Sequence, residues 1–195
     1  MKLDLSLSVE RELIEQIVVS IPQDGAEKLD KSGHVGTHFD GVYQEFSLKN
    51  IITQGKLFDI RSIQGGEVLL KDVDVRDVQE NDFVMFYSGI LKKHGYATKE
   101  YFATYIELSD ELINYLIDKK VSFIGVDMAG AKNPQGHERI DRHCAERGVF
   151  IIENLDHLDL LLKESKGGAF TVYTFPVNWH GFSGLPCRVV VEIRQ

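Results

Sequence analysis

Two histidines and a carboxylate lie within one short segment of the chain, at His34, His38 and Asp40. The segment reads H-V-G-T-H-F-D, so the three side chains stand at positions i, i+4 and i+6. Imidazole nitrogens and carboxylate oxygens suit Zn²⁺, Mn²⁺ or Fe²⁺, and three ligands from one segment leave coordination positions free for water. The spacing therefore predicts a divalent-metal site with an open face.

The alternative is a turn flanked by two solvated or packed histidines, since the chain contains 7 histidines in all. Gly36 permits backbone conformations that are closed to other residues, and Thr37 can hydrogen-bond the backbone locally. Asp40 can act as a ligand or as the group that fixes the tautomer of a ligating histidine. Together these residues favour the metal site over the turn.

The elements around this segment must hold it in a turn or at a strand end. Gly33, Gly36 and Gly41 would each cost about 1 kcal/mol inside a helix, which argues against a regular helix there. Apolar and polar residues alternate from position 3 to 9, which predicts a strand. Residues 10–17 predict a weaker helix, and a loop over residues 21–25 ends it.

Downstream, short apolar runs alternate with amphipathic stretches, which is typical of a sheet flanked by helices. Ser109 is a favourable N-cap for the clearest helix, and Glu153 directly follows an apolar strand. The simplest description is one α/β domain over residues 1–195. The predicted strands cover 57–60, 83–87, 121–127, 149–152, 169–173 and 187–193, the predicted helices 110–120, 139–147 and 155–163, with a helical turn within 46–52 and a turn at Gly65-Gly66.

Composition narrows the class of partner. The 195 residues carry a formal net charge of -8, which argues against nucleic acid or an anionic membrane surface and favours a small-molecule substrate. We find neither an apolar run long enough to span a bilayer nor a basic-then-apolar leader, so we expect a cytoplasmic protein. Cys144 and Cys187 are expected to be small packed side chains without a disulfide.

The segment from His34 to Gln44 resembles the H-x-G-T-H-x-D-x-P-x-H signature of the cyclase family of metal-dependent hydrolases, which includes kynurenine formamidase and isatin hydrolase. Five of its seven fixed positions match, and they are His34, Gly36, Thr37, His38 and Asp40. The resemblance continues through residues 83–87, 123–127 and 148–155.

This resemblance implies an α/β fold of the swivelling β/β/α type, with a mixed sheet core and flanking helices. It also implies assembly as a homodimer or homotetramer and one or two divalent ions, zinc or manganese. Carried over by position, His34, His38 and Asp40 would ligate the first ion and Asp40 would bridge to the second. Glu153 matches the family's carboxylate ligand for that second ion.

The chain departs from the family pattern at two places. Gln44 and Val42 replace the last His and the Pro of the signature, and glutamine, which does not titrate near neutral pH, can only orient a water or substrate. The family's further histidine ligand falls on Asp141, with His143 and His137 as competitors. On a helix that begins near residue 140, Asp141 and His143 point about 200° apart, so they are not expected to bind one ion.

These residues lead to a functional hypothesis of a metal-dependent hydrolase that cleaves a small-molecule amide, as formamidases and cyclic amidases do. The bound metal would activate water, Glu153 or Asp40 would accept the proton, and Gln44 would align the substrate. One alternative is a lactonase, dehydratase or cyclase on the same scaffold. Another is a metal-stabilised protein that has lost catalysis.

Overall fold

The computed structural model describes residues 1–63 and 66–193. Its ten strands are β1 (Lys2–Asp4), β2 (His38–Asp40), β3 (Ile52–Asp59), β4 (Glu67–Val68), β5 (Phe83–Tyr87), β6 (Glu107–Leu108), β7 (Phe123–Val126), β8 (Phe150–Glu153), β9 (Phe170–Pro176) and β10 (Gly184–Ile193). Its seven helices are α1 (Arg11–Ser20), α2 (Gly25–Ser32), α3 (Ile90–His94), α4 (Lys99–Ala103), α5 (Asp110–Asp118), α6 (His137–Ala145) and α7 (Leu158–Ser165), with 3₁₀ turns at Leu48–Asn50 and Leu70–Asp72.

Eight strands form one mixed sheet in the order β1-β10-β2-β8-β7-β5-β3-β9. β3, β5, β7 and β8 run parallel to one another, whereas β2 lies antiparallel between β8 and β10. The long strand β10 also pairs with β9 at the far end of the sheet, which closes the sheet on itself. Closure leaves few exposed strand edges.

The central parallel strands β5, β7 and β8 are buried on both faces because each face packs against its own core. Along β5, Phe83 and Met85 point into a cluster enclosed by the closed sheet, together with Phe39 of β2. Val84 and Phe86 point the other way, into a cluster that includes Leu112 of α5 and Ile140 of α6. A continuous apolar run is the sequence pattern expected for strands buried in this way.

Most predicted elements are present, with shifted ends. Ser109 accepts a hydrogen bond from the Leu112 N–H at 3.2 Å, as its N-cap position predicts. The helix predicted from residue 155 begins only at Leu158, because Leu155 is fully buried and bridges to Ser6. The first strand ends at Asp4 rather than at residue 9. Gly65 of the predicted turn lies outside the described residues.

Three helices were missing from the sequence prediction: α2, α3 and α4. α2 has only two apolar side chains, Ala26 and Leu29, which form too short an apolar stripe to predict a helix. α3 and α4 have five residues each, which is too short to display a helical period.

Cys144 and Cys187 are buried with free thiols. Within the described ranges, no helix is both long and apolar enough to cross a bilayer.

Candidate metal centre

The strand β2 places two of the predicted ligands on one face of the sheet. Side chains alternate along a strand, so His38 and Asp40 point to the same side while Phe39 points into the apolar core. His38 lies directly opposite Glu153 at the end of β8, and its Nε2 is 3.5 Å from Glu153 Oε2. The antiparallel register therefore brings together residues separated by more than 100 positions in the chain.

His34 reaches the same place from the turn that follows α2. Its Nδ1 lies 3.1 Å from Asp40 Oδ1, and its ring packs edge-on against that of His38 with centroids 4.9 Å apart. His38 Nε2 lies 3.4 Å from the same Asp40 oxygen. His34, His38 and Asp40 offer ligand atoms that all lie within 4.8 Å of one another.

The helix α6 contributes two further side chains from one face. His137 and Asp141 are one turn apart, and His137 Nε2 lies 3.0 Å from Asp141 Oδ2 and 3.3 Å from Glu153 Oε1. Asp40, His137 and Asp141 form a second group of potential ligands, so the two groups share Asp40. His143 points elsewhere, with its Nε2 2.8 Å from Asn114 Oδ1 at the exposed surface. His137 was predicted only as a competitor of Asp141, and the spacing of four residues on one helix is the signal that could have paired them.

Several buried polar atoms of this cluster lack a hydrogen-bond partner among the described residues. They are His38 Nε2, both carboxylate oxygens of Asp40, Asp141 Oδ1 and Glu153 Oε1. Buried polar atoms are nearly always satisfied, so their convergence favours a site for an additional group that they bind together. Oxygen and nitrogen donors in this combination fit a divalent cation such as Zn²⁺ or Mn²⁺.

In the metal-free cluster, buried carboxyl groups lie close together and change one another's pKa. Burial, with the nearby charge of Asp40, raises the pKa of Asp141 to about 9. Burial also raises the pKa of Glu153 well above its ordinary value, and Asp40 and Asp141 add to this shift. For Asp40 itself, the neighbouring His38 and His34 outweigh the effect of burial and hold the pKa below its ordinary value. Cations would relieve the repulsion between these carboxylates.

Backbone and amide groups fix the orientation of His38. Its Nδ1–H donates to the Gly36 carbonyl at 3.0 Å, so that in the neutral ring the Nε2 lone pair faces Asp40 and Glu153. The same carbonyl accepts a hydrogen bond from Asn154 Nδ2 at 2.8 Å, and Thr37 Oγ1 donates to the Asn154 carbonyl at 2.7 Å. Asn154 adopts a left-handed conformation with φ 57°, next to Glu153. Sequence reasoning did not identify this supporting role of Asn154.

A cavity of about 630 Å³ opens above the cluster. Its floor includes His34, His38, Asp40, His137, Asp141 and Glu153, and its walls include Ile17, Ile21, Tyr43, Tyr96, Phe102 and Tyr105. Gln44 is exposed and is not among the residues that line the cavity, so the structure does not bring it to the other predicted site residues. His180 is exposed as well.

Residues 3–132 match the model of the Cyclase family, which is two thirds of the chain. The chain belongs to the Cyclase family. The matched segment contains the predicted ligands His34, His38 and Asp40, whereas His137, Asp141 and Glu153 lie beyond it. No curated protein matches the chain by sequence.

Solved structures share the fold of this cyclase-family chain over its whole length. One is described as a potential metal-dependent hydrolase with cyclase activity, with a TM-score of 0.72, 21% identity, and coverage of 100% of this chain and 98% of the other. Another is isatin hydrolase A from Labrenzia aggregata, with a TM-score of 0.75, 14% identity, and coverage of 100% and 94%. A third, from Bacillus stearothermophilus, is described as a predicted metal-dependent hydrolase, with a TM-score of 0.68, 20% identity, and coverage of 100% and 98%.

At these identities the similarity establishes the fold. The predicted α/β class, with a mixed sheet core and flanking helices, is confirmed.

Proposed function

We propose that this cyclase-family protein is a metal-dependent hydrolase that cleaves an amide bond of a small molecule, as formamidases and cyclic amidases do. The observation that carries the proposal is the convergence of five buried, unpartnered ligand atoms from His38, Asp40, Asp141 and Glu153 on the floor of a cavity. Its neighbours in fold include hydrolases, among them isatin hydrolase. Crowded, poorly satisfied acids in a cleft are typical of functional sites.

One or two divalent ions, zinc or manganese, would be held by two ligand groups. His34, His38 and Asp40 form the first group, and Asp40 also belongs to the second with Glu153, Asp141 and His137. Once bound, the ions would lower the pKa of a water molecule and polarise the scissile carbonyl, so no serine or cysteine nucleophile is needed.

The protein's own side chains supply the remaining functions. Glu153 is the proposed proton acceptor, because its carboxylate lines the cavity beside His38 and His137. Tyr43, Tyr96, Phe102 and Tyr105 line the cavity and offer flat apolar surfaces to a ring-shaped substrate.

The proposed role of Gln44 in aligning substrate stays a prediction. Its side chain is exposed in this conformation, and Tyr43 beside it lines the cavity. Replacement of Gln44 by Ala should raise KM if the side chain reaches the substrate and should leave both kinetic constants unchanged if it does not. The variant Gln44→His restores the titrating group of the family signature. Its formamidase activity should rise if this group is all that the chain lacks.

The experiment is a comparison of metal-loaded and chelated protein on N-formyl aromatic amides and isatin-like cyclic amides. We expect turnover with Mn²⁺ or Zn²⁺, its loss on chelation and its recovery when metal is returned. His38→Ala should abolish turnover, whereas His143→Ala, on the outer face of α6, should not change it. A fully loaded protein that hydrolyses none of these substrates would contradict the proposal.

The exposed Gln44 at the position of the signature's last His supports a second candidate function, a lactonase, dehydratase or cyclase on the same scaffold. Turnover of lactones or hydroxy acids without amide hydrolysis would favour it. A protein that has lost catalysis would lose thermal stability on chelation and turn over neither panel. The proposal includes one domain over residues 1–195 and assembly as a homodimer or homotetramer, which light scattering would test.

A further inference from the structure

We infer that Asp30, acting through Ser183, determines which ring nitrogen of His34 faces the metal centre. The inference concerns a positioning residue, and its functional meaning rests on the proposed metal centre. Asp30 lies near the end of α2 and Ser183 directly precedes β10, so 153 positions separate them in the chain. Neither residue belongs to the signature segment at 34–44.

The hydrogen bonds between these residues leave one arrangement of protons. Asp30 Oδ1 accepts from the Ser183 N–H at 2.6 Å, and Asp30 Oδ2 accepts from the Ser183 hydroxyl at 2.8 Å. Because the hydroxyl hydrogen is directed at Asp30, Ser183 Oγ can only accept from His34 Nε2, which lies 2.8 Å away. His34 therefore holds its proton on Nε2, and in the neutral ring the lone pair is on Nδ1. Nδ1 is the nitrogen that lies 3.1 Å from Asp40.

The charge of Asp30 supports this direction of donation. Partial burial alone would raise the pKa of Asp30, but the hydrogen bonds from Ser183 and Tyr43 hold it below its ordinary value. An ionised carboxylate accepts hydrogen bonds and donates none. The hydrogen bonds therefore run from His34 Nε2–H to Ser183 Oγ, and from the Ser183 hydroxyl to the Asp30 carboxylate.

Tight backbone packing holds the three residues in place. A Cβ atom added to Gly33 would lie 2.2 Å from the Gly184 carbonyl oxygen, so the end of α2 contacts the start of β10 directly. A Cβ atom added to Gly184 would lie 2.6 Å from three atoms of the His34 ring. The ring is thus confined between β10 and Asp40. Groups that orient a ligating histidine through its second nitrogen typically change metal affinity by about tenfold to hundredfold.

The variant Asp30→Asn tests the inference because it is nearly isosteric and reverses the direction of the bonds. Its amide nitrogen can donate to Ser183 Oγ, which frees the hydroxyl hydrogen to donate to His34 Nε2. His34 would then carry its proton on Nδ1, where it blocks a metal. Tyr43→Phe is the matched control, since it removes the hydroxyl that donates to Asp30 Oδ2 at 3.1 Å but keeps the bonds from Ser183 to Asp30 and from His34 to Ser183.

Two readouts are measured for each protein: the His34 ring ¹⁵N shifts of the metal-free protein at alkaline pH, and the affinity for Mn²⁺ or Zn²⁺ by titration. The wild type and Tyr43→Phe should show Nε2–H. Asp30→Asn should show Nδ1–H and bind metal about tenfold to hundredfold more weakly. If Asp30→Asn does not fold, Ser183→Ala replaces it and should give a mixture of both tautomers.

An Nε2–H tautomer and wild-type affinity in the folded variant would overturn the inference. A wild type that binds no metal would overturn the proposed function instead, and the ¹⁵N shifts would still decide the inference.

Discussion

At the scale of single residues, the main feature of the site is a set of buried polar atoms without hydrogen-bond partners. His38 Nε2 and both oxygens of Asp40 are buried without a hydrogen-bond partner within the described part of the chain. An unpartnered buried polar group costs about 1–3 kcal/mol, and a charged one costs more. The metal-free cluster therefore lowers the stability of the folded protein. A bound cation would contact these atoms and remove that penalty.

Asp141 makes the stability of the metal-free protein depend on pH. Because its folded-state pKa of about 9 lies above the ordinary value of 3.8, its contribution to stability is complete below about pH 4 and is lost as the pH rises through about 9. We expect the melting temperature of the metal-free protein to fall with pH over this range and to fall less in Asp141→Asn. An equally steep fall in the variant would contradict the assignment.

His137 and His143 allow a matched test of the ligand set, because both lie on α6 but point in different directions. We expect His137→Ala to weaken Mn²⁺ or Zn²⁺ binding by tenfold or more, on the order of what ligand-shell changes cost. His143→Ala should bind metal like the wild type. Isothermal titration calorimetry of both variants measures the difference, and equal affinities would exclude His137 as a ligand.

At the scale of elements, the site depends on close contact between β10 and the turn that carries His34. Gly184 lies opposite Asp40 in the strand register, and no side chain fits between its backbone and the His34 ring. We expect Gly184→Ala to displace the ring and weaken metal binding while the circular dichroism spectrum stays unchanged. Unchanged metal affinity would show that the ring has more room than the structure indicates.

A second element-scale feature is the anchoring of β7 to the loop that follows β5. The Asp127 carboxylate accepts hydrogen bonds from the Ser88 N–H, the Ser88 hydroxyl and the Gly89 N–H, each at 2.7 Å. Burial nevertheless raises the pKa of Asp127 to about 6. Its contribution is therefore complete below about pH 4 and is lost as the pH rises through about 6, a change of about 3 kcal/mol.

Asp127→Asn should remove this dependence on pH. The unfolding free energy of the wild type minus that of the variant, from urea titrations, should fall by about 2 kcal/mol as the pH rises from about 4 to about 6, and by about 3 kcal/mol in all once the pH is well above 6. Asp118→Asn, at an exposed position of α5, is the control, and the same difference for this variant should not fall. A constant difference between wild type and Asp127→Asn would contradict the prediction.

At the scale of the whole molecule, sequence reasoning succeeded where a signal is local. The spacing of His34, His38 and Asp40 predicted a set of ligands from one segment. The apolar runs of β5 and of β8, which ends at Glu153, predicted buried strands. No short sequence pattern predicts the contact of Asp30 with Ser183, because only the folding of the whole chain brings α2 beside β10. Helix α2 was missed for the same reason, since its role is to contact β10 rather than to bury an apolar stripe.

An anomalous-scattering map from crystals of the protein grown with Mn²⁺ tests the proposed metal centre. We expect a peak in contact with His38 Nε2, His34 Nδ1 and Asp40, and, where a second ion binds, another peak between Asp40, Glu153 and the α6 pair His137 and Asp141. A fully ordered cluster without a peak, in crystals that contain manganese, would contradict it.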